Sequence, residues 1–116
     1  HWYAHFLSQN GRLDESFREG KRLLELEPLS LVANLHLAEE LEVQGRDEDA
    51  LGQLRKTIEL DRGFYPAWLY LGRLELRLGR PRRALDALEE AARLEPHAPT
   101  LDDSLSQARA ALRGAR

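Results

Sequence analysis

Residues 65–79 decide the fold: Tyr65-Pro66-Ala67-Trp68-Leu69-Tyr70-Leu71-Gly72-Arg73-Leu74-Glu75-Leu76-Arg77-Leu78-Gly79. From Tyr65 to Leu78 the stretch reads as one helix, and Gly79 stops it because glycine takes the left-handed conformation that closes a helix. Pro81 then sits where the first turn of a following helix needs no amide hydrogen. Ala84, Leu85, Leu88, Ala91 and Ala92 line the inward side of that second helix, and Glu95-Pro96 ends it. Stepping back by 34 residues carries Gly79 onto Gly45 and then Gly11, Ala84 onto Ala50 and then Ser16, and Leu94 onto Leu60 and then Leu26. Leu71 falls on Leu37, and Pro96 falls on Pro28 after two steps. A fixed period of this length means stacked supersecondary units rather than one globular core.

The middle unit follows the same plan. Leu31 to Gln44 reads as a helix whose apolar face carries Leu31, Leu35, Ala38 and Val43, with Leu37 and Leu41 on an adjoining strip. Gly45 closes it. Asp47, Glu48 and Asp49 open the next helix, where carboxylates meet the positive end of the macrodipole. Ala50, Leu51, Leu54, Ile58 and Leu60 are expected to point inward. The first unit is incomplete: a helix starts abruptly at His1, Gly11 follows, and a second helix covers roughly Asp14 to Glu27. After Pro96 the pattern changes. Thr100 and Asp103 form a capping pair, and Leu101, Leu105, Ala108 and Leu112 make a single stripe opposite Asp102, Ser106, Gln107, Arg109 and Arg113. One apolar and one polar side suit a helix that ends a stack. The expectation is one all-α domain over 1–116, divided into an incomplete unit at 1–30, units at 31–64 and 65–98, and a capping helix at 99–113.

The bulk composition restricts the function classes. Charged residues make up 32% of the chain and hydrophobic ones 42%, the balance of a soluble protein. A net charge of −3 argues for neither nucleic acid nor an anionic membrane as an obligatory partner. No apolar run approaches a membrane span and no secretory segment is recognisable. Without cysteine, disulfides and thiolate metal sites are excluded and the compartment is left open. Methionine is absent even at position 1, which reads as a piece of a longer chain.

The paired helices at a 34-residue period resemble the tetratricopeptide repeat. The best local match is Ala67-Trp68-Leu69-Tyr70-Leu71-Gly72 with Ala84, Ala91 and Pro96 behind it. The middle unit keeps Leu37, Ala38, Leu41, Gly45 and Ala50 but has Asn34 for the aromatic and Arg62 for the proline. The first keeps Tyr3, Ala4, Leu7, Ser16 and Pro28, with Gly20 where a bulky residue is usual; in the third, Glu75 replaces the usual large residue. Small residues recur where the helices of a unit cross, because a larger side chain there strains the contact by about 1–3 kcal/mol. The resemblance implies a right-handed α-solenoid of about three helix-turn-helix repeats plus the capping helix. A pentatricopeptide array, which reads RNA, is disfavoured by the 34-residue period and the lack of a basic inner face.

Catalytic motifs are missing. His1 and His5 stand four apart, but Trp2, Tyr3 and Ala4 lie between them rather than the glutamate of a metalloprotease helix, and His36 could supply a third ligand only if the concave surface brings it near. No metal, cofactor or enzyme activity is expected. Glu39, Glu40 and Glu42 read as a solvated face, and Arg77, Arg80, Arg82 and Arg83 as a solvated turn balanced by Asp86 and Glu89.

The resemblance implies a concave groove, lined by the first helix of each repeat, that holds an extended peptide or a partner's helix. Carried onto this chain, that surface comprises His1, Trp2, His5 and Gln9, then Leu35, His36, Glu39 and Glu42, then Leu69, Tyr70, Arg73 and Arg77, with Thr100, Asp103, Ser104 and Gln107 extending it. The cationic clamp by which one subclass grips acidic chaperone tails is missing, since the matching places hold His1, His5, His36, Pro66 and Tyr70. The expected function is a non-catalytic protein-interaction module with a protein or peptide ligand, part of a larger scaffold or assembly protein. Two alternatives are self-association through the amino-terminal end, using Trp2, Tyr3 and Phe6, and an accessory domain of a larger enzyme.

Overall fold

The computed structural model describes residues 30–114 together with Arg18, Lys21 and Arg22, and the chain divides into two compact units, 1–60 and 61–116. The helix expected from His1 lies outside the described residues. Of the helix expected over 14–27, Arg18, Lys21 and Arg22 are described, and they are helical and exposed. The first unit holds α1 (Leu31–Val43) and α2 (Asp47–Leu60), packed on each other. The second holds α3 (Tyr65–Arg77), α4 (Pro81–Leu94) and α5 (Leu101–Gly114). There α4 packs against α3 and α5, and α5 touches α3 more lightly. No strand occurs among the described residues, and the architecture is an all-α helical repeat.

The two hairpin turns share one backbone solution. At the end of α1 the Gly45 amide donates to the Glu42 carbonyl and the Arg46 amide to the Leu41 carbonyl, each at 2.9 Å. At the end of α3 the Gly79 amide donates to Leu76 at 3.1 Å and the Arg80 amide to Glu75 at 2.9 Å. This crossed pair is the Schellman closure, which needs a left-handed residue after the helix. Gly45 and Gly79 supply it with φ of 77° and 78°. A conformation that costs most residues about 1–2 kcal/mol is thereby placed on glycine, which explains the glycine period.

In the first unit Leu37, Ala38 and Leu41 meet Ala50, Leu51, Leu54 and Ile58 in the buried interior. Polar groups share it. Asn34 is fully buried; its Nδ2 donates to the Ser30 carbonyl at 2.7 Å and its Oδ1 accepts from Gln53 Nε2 at 2.6 Å. Thr57 is equally buried and its hydroxyl donates to the Gln53 carbonyl at 2.8 Å, so its polar group is satisfied within α2. Ser30 caps α1 by accepting the Ala33 amide at 3.2 Å. The face expected of α1 needs two corrections. Val43 is 58% exposed rather than inward, and Glu40 is 4% exposed rather than solvated. Leu31 and Leu35 are half-buried.

The second unit has an almost wholly apolar interior built from Leu69, Ala84, Leu88, Ala91, Ala98, Leu101, Leu105 and Ala108. Leu85 and Ala92, expected inward, are half-buried against it, and Ala87 joins the buried set. At Gly72 the two helices meet closely. A Cβ there would lie 2.5 Å from Leu88 Cγ and 3.2 Å from the Ala84 carbonyl oxygen. Trp68 lies half-buried with its indole N–H donating to the Arg62 carbonyl at 2.9 Å, which ties the loop before α3 to that helix.

The start of α5 also differs from expectation. Thr100 has a φ of 64°, whereas a capping residue takes an extended backbone, so it does not open α5 as a capping box. The apolar stripe of α5 does face the core through Leu101, Leu105 and Ala108, with Leu112 half-buried. Ser104 is buried among them, whereas Asp102, Ser106, Gln107, Arg109 and Arg113 are exposed.

Candidate functional site

His1, Trp2, His5 and Gln9 lie outside the described residues. The remaining candidates sit on α1 and α3, the first helices of the two hairpins. On α1, Leu35, Glu39 and Glu42 are half-buried, while His36 is only 6% exposed. On α3, Leu69 is 6% exposed and belongs to the core cluster. Tyr70 packs against that core from its edge, and Arg73 and Arg77 are exposed. His36 and Leu69 therefore offer little surface, and the accessible chemistry comes from the other six residues. Of the positions expected to extend the surface onto α5, Thr100, Asp103 and Gln107 are exposed.

Helical spacing explains the division. The residues α1 buries, from Ala33 and Asn34 round to Glu40 and Leu41, span more than half of its circumference. The strip left over carries Val32, Leu35, Glu39, Glu42 and Val43. Val32 is 57% exposed and was not among the residues singled out in the sequence. One signal could have found it: eleven residues separate it from Val43, three helical turns, which puts both on one line about 20° apart.

On α3 the exposed strip is held in shape by ring contacts. The Arg73 guanidinium lies over the Tyr70 ring, 5.7 Å from its centroid. Such a contact is worth about 0.5–1 kcal/mol at an exposed site and limits the rotamers of the arginine. No carboxylate among the described residues pairs with Arg73. Arg80 behaves differently. Its Nη1 lies 3.1 Å from Glu75 Oε1, and the Glu75 side chain is 4% exposed against 35% for Arg80. Glu75 is thus a buried carboxylate held by an ion pair at the turn, and Arg80 leaves the solvated cluster that also contains Arg82 and Arg83.

A second polar patch lies at the far end of α4. Arg93 Nε donates to Glu90 Oε2 at 3.0 Å and its Nη2 reaches the same oxygen. That hydrogen bond holds the Glu90 carboxyl below its usual value against an opposing desolvation, with lesser help from the charges of Arg93 and Arg62. It correspondingly raises the Arg93 guanidinium. Arg62 also lies over Trp68, 5.6 Å from the ring centroid. Both members of the Glu90–Arg93 pair are at the surface, where such pairs contribute little to stability.

Among the described residues no group of three or more His, Asp or Glu side chains could hold a metal ion. None of the helices among them is long and apolar enough to cross a membrane. The arrangement offers ring faces, apolar patches and fixed charges on helices, which are means of recognising another molecule.

A family model described as the tetratricopeptide repeat matches residues 65–108, the stretch from the start of α3 into α5. That stretch is similar to the tetratricopeptide repeat, and the fold is the one such repeats share. Solved tetratricopeptide domains share its fold at low sequence identity. The first such domain of human RPAP3 has a TM-score of 0.87 at 18% identity, over 97% of this chain and 88% of that one. The first domain of Spaghetti (RPAP3), bound to the HSP90 peptide SRMEEVD, gives 0.85 at 18% identity over 96% and 88%. The type III secretion chaperone SycD of Yersinia enterocolitica, in complex with a peptide of the translocator YopD, gives 0.76 at 16% identity over 97% and 86%. No curated protein matches the sequence. In the matched tetratricopeptide unit, Gly72, Ala84 and Ala91 are the small residues at the close contact of α3 with α4 and in the core beneath it.

Proposed function

We propose that this chain is a non-catalytic protein-interaction module that binds a peptide or a partner's helix, with Tyr70 and Arg73 on the exposed strip of α3 among the contacts. The observation that carries this reading is Arg73. It is exposed, seated over the Tyr70 ring at 5.7 Å, and has no carboxylate partner among the described residues. A preorganised guanidinium beside an aromatic face suits an acidic residue next to an apolar or aromatic side chain, and aromatic and arginine side chains dominate binding hot spots. Similar solved structures that hold peptides from HSP90 and from YopD support a polypeptide as the ligand class. The cationic clamp for acidic chaperone tails is not rebuilt by the residues at its places, so the preferred peptide differs from such a tail. The chain then serves as the recognition part of a larger scaffold or assembly protein.

A peptide array tests the reading with wild type, Tyr70→Ala and Arg73→Glu. Both side chains lie at the surface or the edge of the core, so the fold survives these changes. Wild type is expected to capture peptides that pair an acidic with an apolar residue, with each variant weakened about tenfold, or about 1.4 kcal/mol. Equal capture by all three proteins overturns it.

A further inference from the structure

We propose that a second copy of this chain docks end to end on the second unit, the basic end of one copy against the acidic end of the next. Helices α3, α4 and α5 are consecutive, packed on one another and joined by short connections, so each runs antiparallel to the one before. The carboxyl end of α3, the amino end of α4 and the carboxyl end of α5 therefore lie together, and the opposite termini lie at the other end of the unit. Charge is sorted between these ends. Residues 73–86 and 107–114 carry seven arginines against Glu75 and Asp86, a balance of +5. Residues 61–72 and 87–106 carry six carboxylates against Arg62 and Arg93, a balance of −4. Arg80 and Glu75 already neutralise each other in the turn. Arg82, Arg83, Arg109 and Arg113 are exposed, and no carboxylate among the described residues pairs with them. At the far end Glu89, Asp102 and Asp103 are likewise exposed and outside any ion pair among the described residues.

Distance keeps the two charges apart. The 14 residues of α4 span about 21 Å, whereas exposed charges are screened beyond about 8–10 Å at physiological salt. A neighbouring molecule therefore meets one end at a time. Like ends repel and unlike ends attract, which selects one orientation, basic to acidic. The exposed large hydrophobics among the described residues, Val32 and Val43, both lie in the first unit, so a contact at either end of the second has charge to hold it and no apolar anchor. Such a contact is weak and sensitive to salt. The fold itself does not ask for this charge, since Arg82 and Arg83 stand where α2 has Glu48 and Asp49. Cations in the first turn of a helix oppose its macrodipole, and the carboxylates of an approaching copy relieve that opposition. A contact between two different surfaces of identical chains leaves one of each free, so further copies add.

Sedimentation velocity of the whole chain tests the proposal. At about 0.1 M salt the weight-average sedimentation coefficient is expected to rise with protein concentration, and at about 1 M, where the screening length is about 3 Å, to hold at the monomer value. Two double variants each remove one end. Arg82→Glu with Arg83→Glu weakens the basic end, Asp102→Lys with Asp103→Lys weakens the acidic one, and each alone should self-associate at least about tenfold less tightly. Mixed in equal amounts, they should form one-to-one pairs and nothing larger, because only the intact acidic end of the first and the intact basic end of the second can meet. Arg109→Glu with Arg113→Glu should reproduce the first variant. A wild type that stays monomeric up to its solubility limit at 0.1 M salt, association that survives 1 M salt, or folded variants whose mixture stays monomeric overturns the proposal. Peptide capture through Tyr70 and Arg73 is untouched by these charge reversals, so this contact and the ligand reading fail separately.

Discussion

The hairpins α1–α2 and α3–α4 are built on one backbone plan and filled with different chemistry. At positions 34 residues apart, the first buries Asn34, Glu40 and Thr57 where the second has Trp68, Leu74 and Ala91. The amide of Gln53, which binds Asn34, gives way to the methyl group of Ala87, and Asn34 itself to the half-buried Trp68. At the turn the relation inverts. Leu41, whose carbonyl accepts from Arg46, is replaced by Glu75, and Arg80 then joins α3 through both a backbone hydrogen bond and an ion pair to that residue. Arg46 turns instead to Asp49, 2.9 Å away. What the two hairpins keep in common is the Schellman closure and the small residues at the crossing. A repeat fold thus specifies backbone geometry and volume at a few places and leaves charge free, which is how the outer strips come to be acidic on α1 and basic on α3.

The largest expected effect lies at the closest approach. Leu88 is fully buried, and Leu88→Ala should cost about 2–5 kcal/mol in urea denaturation of the whole chain. Gly72→Ala should cost about 1–3 kcal/mol through overpacking against Leu88, despite the better helix propensity of alanine. In the Leu88→Ala background the same change should become harmless, because the clash is gone. Equal costs in both backgrounds would mean that the crossing of α3 with α4 is not set by this contact. At Ala38, the equivalent position in α1, a methyl group is already accommodated.

The turn ion pair gives an intermediate effect. Arg80→Ala leaves the Glu75 carboxylate buried without that partner and should destabilise by about 1–3 kcal/mol, less than a fully buried pair because the guanidinium is partly in water. Glu75→Leu, which installs the residue found at position 41, should be neutral or stabilising by about 1 kcal/mol. A large loss for Glu75→Leu would show that the carboxylate does more than the leucine it replaces.

The smallest effect tests sameness rather than difference. Gly45→Ala and Gly79→Ala should each cost about 1 kcal/mol, since neither site has a steric neighbour and both have the same positive φ. Unequal losses would separate the two closures despite their shared geometry.

Much of the fold was legible because its markers are geometric necessities. Glycine at a left-handed closure, proline in a first helical turn and alanine at a crossing leave residue types that a 34-residue comparison finds. The surface was harder to read. On α1, hydrophobicity and burial part company: Asn34 is inside because Gln53 and the Ser30 carbonyl satisfy its amide, while Val43 is outside. A pattern of apolar residues cannot anticipate a buried hydrogen bond between side chains 19 residues apart. Leu69 and His36 were placed on the binding strip by family position, whereas the local packing draws both below the surface. Thr100 is a good capping residue by type, but the backbone there is left-handed.

Amide chemical-shift mapping of the isotopically labelled chain, titrated with the tightest peptide from the array, tests the central claim most directly. Recognition of a polypeptide through the exposed strip of α3 predicts perturbations centred on Tyr70 and Arg73, with the outer face of α5 at Asp102, Ser106 and Arg109 silent. Perturbations centred on α5 or on the exposed sides of α2 and α4, with the α3 strip unmoved, would contradict it.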